Sequence, residues 1–175
     1  IRSCLVGSEM CIRDRIILKF NNSIVFRLAT VFGNSYRMRT DLLVNFLVRE
    51  ATIKNKINIF EPHFRRNYIH VSDVVDAFIF GIKNFSKMKN NIYNIGLSDA
   101  NLTKIQLAKR IKKIVSKTKI KIIKNNKDPD KRDYFVSNKK IERAGYKTKI
   151  SLDKGIRELF QLFTLNDFQK NKNNY

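Results

Sequence analysis

The residue types that most often carry acid–base or metal chemistry are few and poorly grouped in this sequence. The only two histidines, His63 and His70, do not have H-x-x-x-H spacing, and no cysteine lies near them. Zinc sites need such ligands at short spacings, so the sequence does not favour a metal site. We predict that His70 is a packed, hydrogen-bonded residue. Asp73 and Asp76 are predicted to be a helix cap and a helix-surface group rather than catalytic acids.

Positive charge is the most prominent chemical feature of the chain. The formal net charge is +21, and residues 103–127 contain ten Lys or Arg and no acidic residue. Nucleic-acid binding is one chemistry that such a charge supports. Basic residues are nevertheless scattered along the whole chain, and no aromatic residue is interleaved in 103–127 for base stacking. A basic nucleic-acid-binding module therefore stays as an alternative, and a solvated helix face is the simpler interpretation.

The first fifteen residues are predicted to be foreign to the fold. The string from Leu5 to Arg15 resembles the translation of a sequencing-library adapter, and Glu9, Arg13 and Asp14 interrupt the apolar core that a signal peptide needs. Both cysteines lie in this segment, and without it the net charge becomes +20. The absence of later cysteines is typical of the reducing cytoplasm. No apolar run is long enough to span a membrane.

Apolar periodicity divides the remaining chain into alternating strands and helices, which predicts an α/β protein. Strands are predicted at 23–28, 57–60, 67–71, 91–96, 119–123 and 134–137. Helices are predicted at 41–52, from Ser72 or Asp73 to Asn84, from 103 onward, before 145, and at 152–163. The second helix should bury Val74, Val75, Ala77, Phe78 and Ile82. The third should open with a capping box formed by Thr103 and Gln106.

Five segments, in order, carry a resemblance to a known family. They read FRLATVFG at 26–33, RRNYIHVSDV at 65–74, IYNIG at 92–96, DKRDY at 130–134 and SLDKGI at 151–156. Each is weak alone, but the ordered set resembles the extended short-chain dehydrogenase/reductase family, close to its nucleotide-sugar epimerases and dehydratases.

The resemblance implies a two-part, homodimeric enzyme that uses NAD or NADP and a UDP- or dTDP-linked sugar. Residues 16–35 and 66–98 would be the last elements of a Rossmann-type parallel sheet. Residues 36–65 and 99–164 would form a small α/β substrate lobe, and 165–175 a frayed tail. Family enzymes oxidise the sugar transiently, with a Tyr as base and a Lys four residues later that lowers the pKa of that Tyr.

Neither the catalytic pair nor the cofactor loop of the family is present in this sequence. No tyrosine has a lysine four positions later, and the six glycines are not clustered. A dinucleotide loop needs clustered glycines so that the backbone can reach the pyrophosphate. The sequence therefore predicts the C-terminal, substrate-side half of such an enzyme, inactive by itself and without bound cofactor. A non-catalytic, nucleotide-binding regulator is a further alternative.

The resemblance assigns site residues only where motifs match. Arg66 matches a diphosphate-binding arginine, although Asn67 replaces the family's Asp after it; the alternative for Arg66 is a surface residue on an edge strand. Arg132 or Lys127 would supply the second cation, with Arg132 favoured because it directly precedes a strand. Planar guanidinium groups suit a diphosphate.

The remaining matches concern the base, the sugar and the cofactor. Asn58 and Phe60 match the strand beside the nucleotide base, and a core role for Phe60 is an equal alternative. Thr30 stands where many relatives have an Asn near the sugar. Two neighbours of Thr30, Ala29 and Val31, match the stretch that passes the nicotinamide. Arg37 lies in the loop that closes over the substrate, with solvent exposure as the alternative; the same applies to Arg39.

Overall fold

The computed structural model describes residues 8–123 and 133–165, with side chains from residue 12 onward. Strands and helices alternate through this part of the chain, as the periodicity predicts. The helices are α1 (Ser8–Lys19), α2 (Leu43–Lys54), α3 (Val71–Lys83), α4 (Phe85–Met88), α5 (Lys104–Ile114), α6 (Lys139–Arg143) and α7 (Leu152–Thr164). The strands are β1 (Ile24–Leu28), β2 (Thr30–Phe32), β3 (Lys56–Phe60), β4 (Arg65–Arg66), β5 (Tyr68–His70), β6 (Asn91–Ile95), β7 (Leu102–Thr103) and β8 (Lys119–Ile123).

The strands form four pairs, three of them parallel. β1 pairs with β6, β2 with β5 and β3 with β8 in parallel, whereas the short β4 pairs with β7 antiparallel. Parallel pairs need crossover connections, and helices lie in them here, for example α2 in the connection from β2 to β5. The predicted α/β class is confirmed.

Two apolar clusters hold the elements together. One lies where α2, α5 and α7 pack on β3, with Val44, Leu107, Ile111, Ile156 and Leu159 fully buried. The other lies between β1, β5, β6 and α3 and also takes in Ile141 and Tyr146 from the C-terminal region. The division into sheet and lobe residues given by the resemblance stays a prediction.

Helix α3 turns its large apolar residues outward, so the predicted buried side is wrong in most positions. Its buried residues are Asp73, Ala77 and Gly81, spaced four apart. These small side chains let the helix approach the strands closely: a Cβ at Gly81 would lie 2.7 Å from Phe26 Cζ. The large residues on the other side are exposed, namely Val75, Phe78, Ile79 and Ile82.

The predicted strand at 134–137 does not form. Residues 134–137 belong to no strand ladder, and side chains hold part of their backbone. Asn101 donates from Nδ2 to the carbonyl of Val136 and accepts from its N–H, at 3.0 and 2.9 Å. Asn94 Nδ2 donates to the carbonyl of Ser137 at 3.1 Å. These amide groups satisfy the backbone that a neighbouring strand would otherwise pair.

The ends of the helices follow local rules. The capping box predicted for α5 is present: Thr103 Oγ1 accepts from the N–H of Gln106, and Gln106 Oε1 accepts from the N–H of Thr103.

Helix α1 crosses the boundary predicted at residue 15, and its Asp14 is buried against Arg27, whose Nε donates to Asp14 Oδ2 at 2.7 Å. None of the helices in the described ranges combines the length and hydropathy that a bilayer crossing requires.

Candidate functional site

Arg66 is the best-defined candidate for anion binding. It lies on β4, opposite Leu102 of β7, and only 3% of its surface is exposed. Its Nη1 donates to the carbonyl of Arg65 at 2.9 Å, and its guanidinium carbon lies 5.2 Å from the ring centroid of Tyr134. Arg66 is therefore buried rather than at the surface, and its role in binding a diphosphate stays a prediction. A guanidinium is withdrawn from water only where its surroundings compensate, and stacking on an aromatic ring is one such compensation.

Tyr68 is close enough to Arg66 and Tyr134 for both of them to affect its hydroxyl electrostatically. It is completely buried, and its hydroxyl has no hydrogen-bond partner among the described residues. Burial and the neighbouring Tyr134 raise the pKa of Tyr68, and the charge of Arg66 opposes them only in part. The hydroxyl therefore stays protonated and can act as a donor, but not as a base at neutral pH.

The segment that follows Arg132 in the chain is tied to β4. The N–H of Arg65 donates to Asp133 Oδ1 at 2.8 Å, and its Nε and Nη2 reach the two carboxylate oxygens at 3.1 and 3.2 Å. These bonds from Arg65 lower the pKa of Asp133. Arg132 and Lys127 themselves lie outside the described residues. The convergence of Arg66 and Arg132 stays a prediction.

Asn58 and Phe60 lie at the wall of a cavity of about 160 Å³. Asn58 is exposed and Phe60 is half-buried at the end of β3. The cavity is also lined by Leu43, Phe46, Leu47, Ile59 and Lys104. The structure thus brings Asn58 and Phe60 together with Lys104, a lysine that was predicted to lie on a solvated helix face.

Ala29 connects β1 to β2, and Thr30 and Val31 are the first two residues of β2. The N–H of Ala29 donates to Ile95 at 2.9 Å, and the N–H of Thr30 donates to Asn67 at 3.0 Å. Ala29 is buried, whereas Thr30 and Val31 are half-buried. The backbone of this stretch is thus fixed by β6 and by the turn before β5. The roles of its side chains toward sugar and nicotinamide stay predictions.

Arg37 is exposed and lies in the loop between β2 and α2. Together with Arg39, Thr40 and Asp41 it lines an open cleft of about 630 Å³. Asn45, a buried residue of α2, fixes both ends of the loop. It accepts from the N–H of Gly33 at 3.1 Å and donates to the carbonyl of Arg39 at 2.9 Å.

His70 and Asp73 have structural partners. His70 is buried, as predicted, and its Nδ1 caps α3 by accepting from the N–H of Ser72 at 3.3 Å. Its Nε2 lies 3.2 Å from Glu158 Oε2. Asp73 is not the predicted cap: its buried carboxylate accepts from the N–H groups of Lys149 and Ile150 at 2.8 and 3.1 Å.

No group of three or more His, Cys, Asp or Glu in the described ranges is placed to hold a metal ion.

At four glycines of the described ranges, Gly33, Gly81, Gly96 and Gly155, another side chain of the protein occupies the space where a Cβ would stand. A Cβ at Gly33 would lie 2.4 Å from His70 Nε2, and one at Gly96 would lie 1.8 Å from Asn67 Oδ1. A phosphate loop needs open space above its glycines. No reaction step is therefore assigned to a dinucleotide on these residues.

Three contributors to the site were missed from sequence. Tyr134 stacks on Arg66, Asn45 fixes the loop of Arg37, and Lys104 turns its amine inward at the start of α5. An aromatic next to a charged loop, in the DKRDY motif, was the available signal for Tyr134. Nothing in the local sequence distinguishes Lys104 from the solvent-facing lysines of the same helix.

A family profile matches the first half of this arrangement. The profile described as "NAD dependent epimerase/dehydratase family" covers residues 17–96, which contain β1 to β6. Residues 17–96 are therefore similar to this family. The resemblance to the extended short-chain dehydrogenase/reductase group is confirmed.

Relatives of the NAD dependent epimerase/dehydratase family extend the similarity beyond residue 96. GDP-L-colitose synthase of Yersinia pseudotuberculosis is 28% identical over 131 residues, covering 74% of this chain and 42% of the relative. The dTDP-glucose 4,6-dehydratase of Bacillus anthracis, solved with NAD, superposes with a TM-score of 0.71 at 21% identity, covering 89% of this chain and 50% of its own.

The UDP-glucose 4-epimerase of Thermotoga maritima, solved with UDP-glucose, gives a TM-score of 0.66 at 25% identity, covering 81% of this chain and 45% of its own. The chain thus spans about half the length of the relatives it matches. The structural likeness supports the fold.

Proposed function

We propose that this chain contributes the nucleotide-sugar-binding half of an NAD- or NADP-dependent nucleotide-sugar epimerase or dehydratase. The observation that carries the proposal is the buried Arg66, whose guanidinium is stacked on Tyr134 beside the segment that follows Arg132. A buried guanidinium with a fixed plane is suited to a diphosphate, which it can bind through two parallel hydrogen bonds. The relatives named above act on, or were solved with, dTDP-, UDP- or GDP-linked sugars or NAD.

The predicted role of Arg66 is binding rather than chemistry. The diphosphate is remote from the sugar carbon that is oxidised, so it is held equally in the ground state and the transition state. Such uniform binding sets affinity and leaves the chemical step unchanged. Thr30 and Arg37 would contact the sugar side, and Asn58 and Phe60 the base.

Hydride transfer is assigned to parts that this sequence does not contain. The family's Tyr-x-x-x-Lys pair and glycine-rich loop have no counterpart in the chain, so we expect the chain alone to bind nucleotide-sugar without turnover. In the whole enzyme these parts would hold NAD or NADP, and Ala29 and Val31 would pass the nicotinamide. The homodimer implied by the resemblance belongs to that whole enzyme.

The deciding experiment is calorimetric titration of UDP-, dTDP- and GDP-sugars against the chain at fixed salt. Arg66→Ala should weaken binding about ten- to hundredfold, because a charge-assisted contact contributes about 1.5–3 kcal/mol. Arg66→Lys should recover only part of the affinity, since an ammonium cannot form the paired contact. Arg143→Ala, which removes an exposed arginine of α6, is the matched control and should bind like wild type. Unchanged affinity in Arg66→Ala would contradict the proposal.

The nucleic-acid alternative is not favoured by the family match. Its lysines Lys109, Lys112 and Lys113 lie on the exposed face of α5, as a solvated helix requires. Salt-dependent DNA binding that survives Arg66→Ala and disappears when these lysines are replaced would favour it instead. The regulator alternative is tested separately, by reading the encoding frame upstream for a Tyr-x-x-x-Lys pair.

A further inference from the structure

One side chain holds both ends of the loop between β2 and α2. Asn45 lies in the first turn of α2 and is 2% exposed. Its Oδ1 accepts from the N–H of Gly33 at 3.1 Å, and its Nδ2 donates to the carbonyl of Arg39 at 2.9 Å. Both bonds need a carboxamide, because an apolar side chain offers neither group and an ionised Asp offers only acceptors.

The residues between these two bonds form a buried anchor and an exposed tip. Met38 is buried in the same apolar cluster as the inner face of α2. Tyr36 and Arg37 are exposed, and Arg37 lines the cleft of about 630 Å³. The backbone is thus fixed before and after Arg37, although the side chain of Arg37 is open to solvent.

A fixed backbone matters for a ligand that contacts Arg37. A ligand that must order a loop loses part of its binding free energy, whereas a loop that is ordered beforehand causes no such loss. Residues that bind a ligand are held in place by others that do not touch it. Asn45 fits the second kind of residue, because it is buried and both of its polar groups bind backbone.

We infer that Asn45 is a positioning residue for nucleotide-sugar binding and that it acts through Arg37. The inference rests on the proposed function. Residue 45 lies outside the five motifs that carry the family resemblance, so the role is argued from the geometry of the loop. The alternative is that Asn45 only stabilises the fold, and the two roles differ in what happens when Arg37 is absent.

The first test is calorimetric titration of UDP-, dTDP- and GDP-sugars against wild type, Asn45→Asp, Arg37→Ala and the double variant. Asn45→Asp keeps the acceptor for Gly33 but cannot donate to Arg39, so it should weaken binding about three- to tenfold. With Arg37→Ala already present, Asn45→Asp should cause no further loss. Val48→Ala removes buried volume from the same helix and keeps Asn45; it is the control and should bind like wild type.

A second measurement uses no ligand and follows trypsin cleavage after Arg37 by mass spectrometry. Local opening exposes a loop to proteases, so Asn45→Asp should be cleaved there about tenfold faster than wild type. Cleavage after Lys147, which is exposed in another loop, is the internal control and should keep its rate. Asn45→Leu is close to Asn in shape and makes neither bond, so it should behave like Asn45→Asp and covers the case in which that variant fails to fold.

Three results would overturn the inference. They are unchanged affinity in Asn45→Asp, the same loss of affinity with and without Arg37, and unchanged cleavage after Arg37 in the Asn45 variants. Each of them leaves the proposed function standing as long as Arg66→Ala weakens binding. If Arg66→Ala leaves nucleotide-sugar affinity unchanged, the proposed function itself fails.

Discussion

The guanidinium carbon of Arg66 lies 5.2 Å from the centroid of the Tyr134 ring; Arg66 is buried and Tyr134 is half-buried. The two residues are nearly seventy positions apart in the sequence. The neighbouring pair of Arg65 and Asp133 connects the same two segments and so brings them together. The ring holds the plane of the guanidinium, and a fixed plane loses less entropy when it binds a diphosphate.

Tyr134→Leu should therefore weaken nucleotide-sugar binding without removing a ligand contact. We expect a loss of about three- to tenfold, smaller than that of Arg66→Ala, because a cation–π contact contributes about 0.5–2 kcal/mol. In the double variant with Arg66→Ala, the Tyr134 substitution should have no additional effect. Additive losses in titrations of the four proteins would show that the two residues act independently. Phe135→Leu, at the neighbouring exposed aromatic, is the control.

Asp73 should contribute strongly to stability. Its buried carboxylate accepts from two backbone N–H groups at the start of the segment before α7. Asp73→Ala leaves both N–H groups without a partner, at a cost of about 3 kcal/mol in the free energy of unfolding. Asp76→Ala removes only a surface pair with Lys149 and should cost less than about 1 kcal/mol. Urea denaturation of the two variants checks the difference, and equal losses would contradict the assignment.

Gly96 should not tolerate a side chain. A Cβ there would lie 1.8 Å from Asn67 Oδ1, and Asn67 is held by donating from Nδ2 to the carbonyl of Leu97 at 2.7 Å. Gly96→Ala should lower the free energy of unfolding by about 1–3 kcal/mol through overpacking. Adding Asn67→Ala should restore part of that loss by removing the clash. If the double variant loses as much free energy of unfolding as the two single variants lose together, or more, the result would argue against this contact.

Acid should destabilise the protein partly through His70. Burial lowers the pKa of His70 below its usual value near 6.5, and the charges of Glu158 and Asp73 oppose this only in part. The unfolded chain thus takes up a proton at higher pH than the folded one. The stabilisation from the neutral imidazole is fully present above about pH 6.5 and is lost as the pH falls below it.

The comparison that tests this uses the unfolding free energies of wild type, His70→Gln and His63→Gln between pH 7.5 and 5. His70→Gln should have a smaller loss of stability on acidification than wild type. His63 is exposed, so His63→Gln should follow the wild-type profile. Identical slopes in all three proteins would mean that His70 does not titrate in this range.

The sequence alone determined the α/β class, the positions of most strands and helices, and the resemblance to a family. These depend on local spacing: alternating apolar residues in β3, the capping box of α5, and the motif around Arg66 are all visible within ten residues. Local spacing also determined that His70 would be packed, because it lies inside an apolar run.

Only the tertiary structure decided which side of α3 is buried, because its large and small apolar residues alternate around the helix and packing selected Ala77 and Gly81. Partners distant in sequence decided that Asp73 binds backbone N–H groups near residue 150 and that Arg66 stacks on Tyr134. Lys104 is the clearest case. Its helix has lysines on several faces, and only the position of β3 and Phe64 beside the first turn draws one of them out of water.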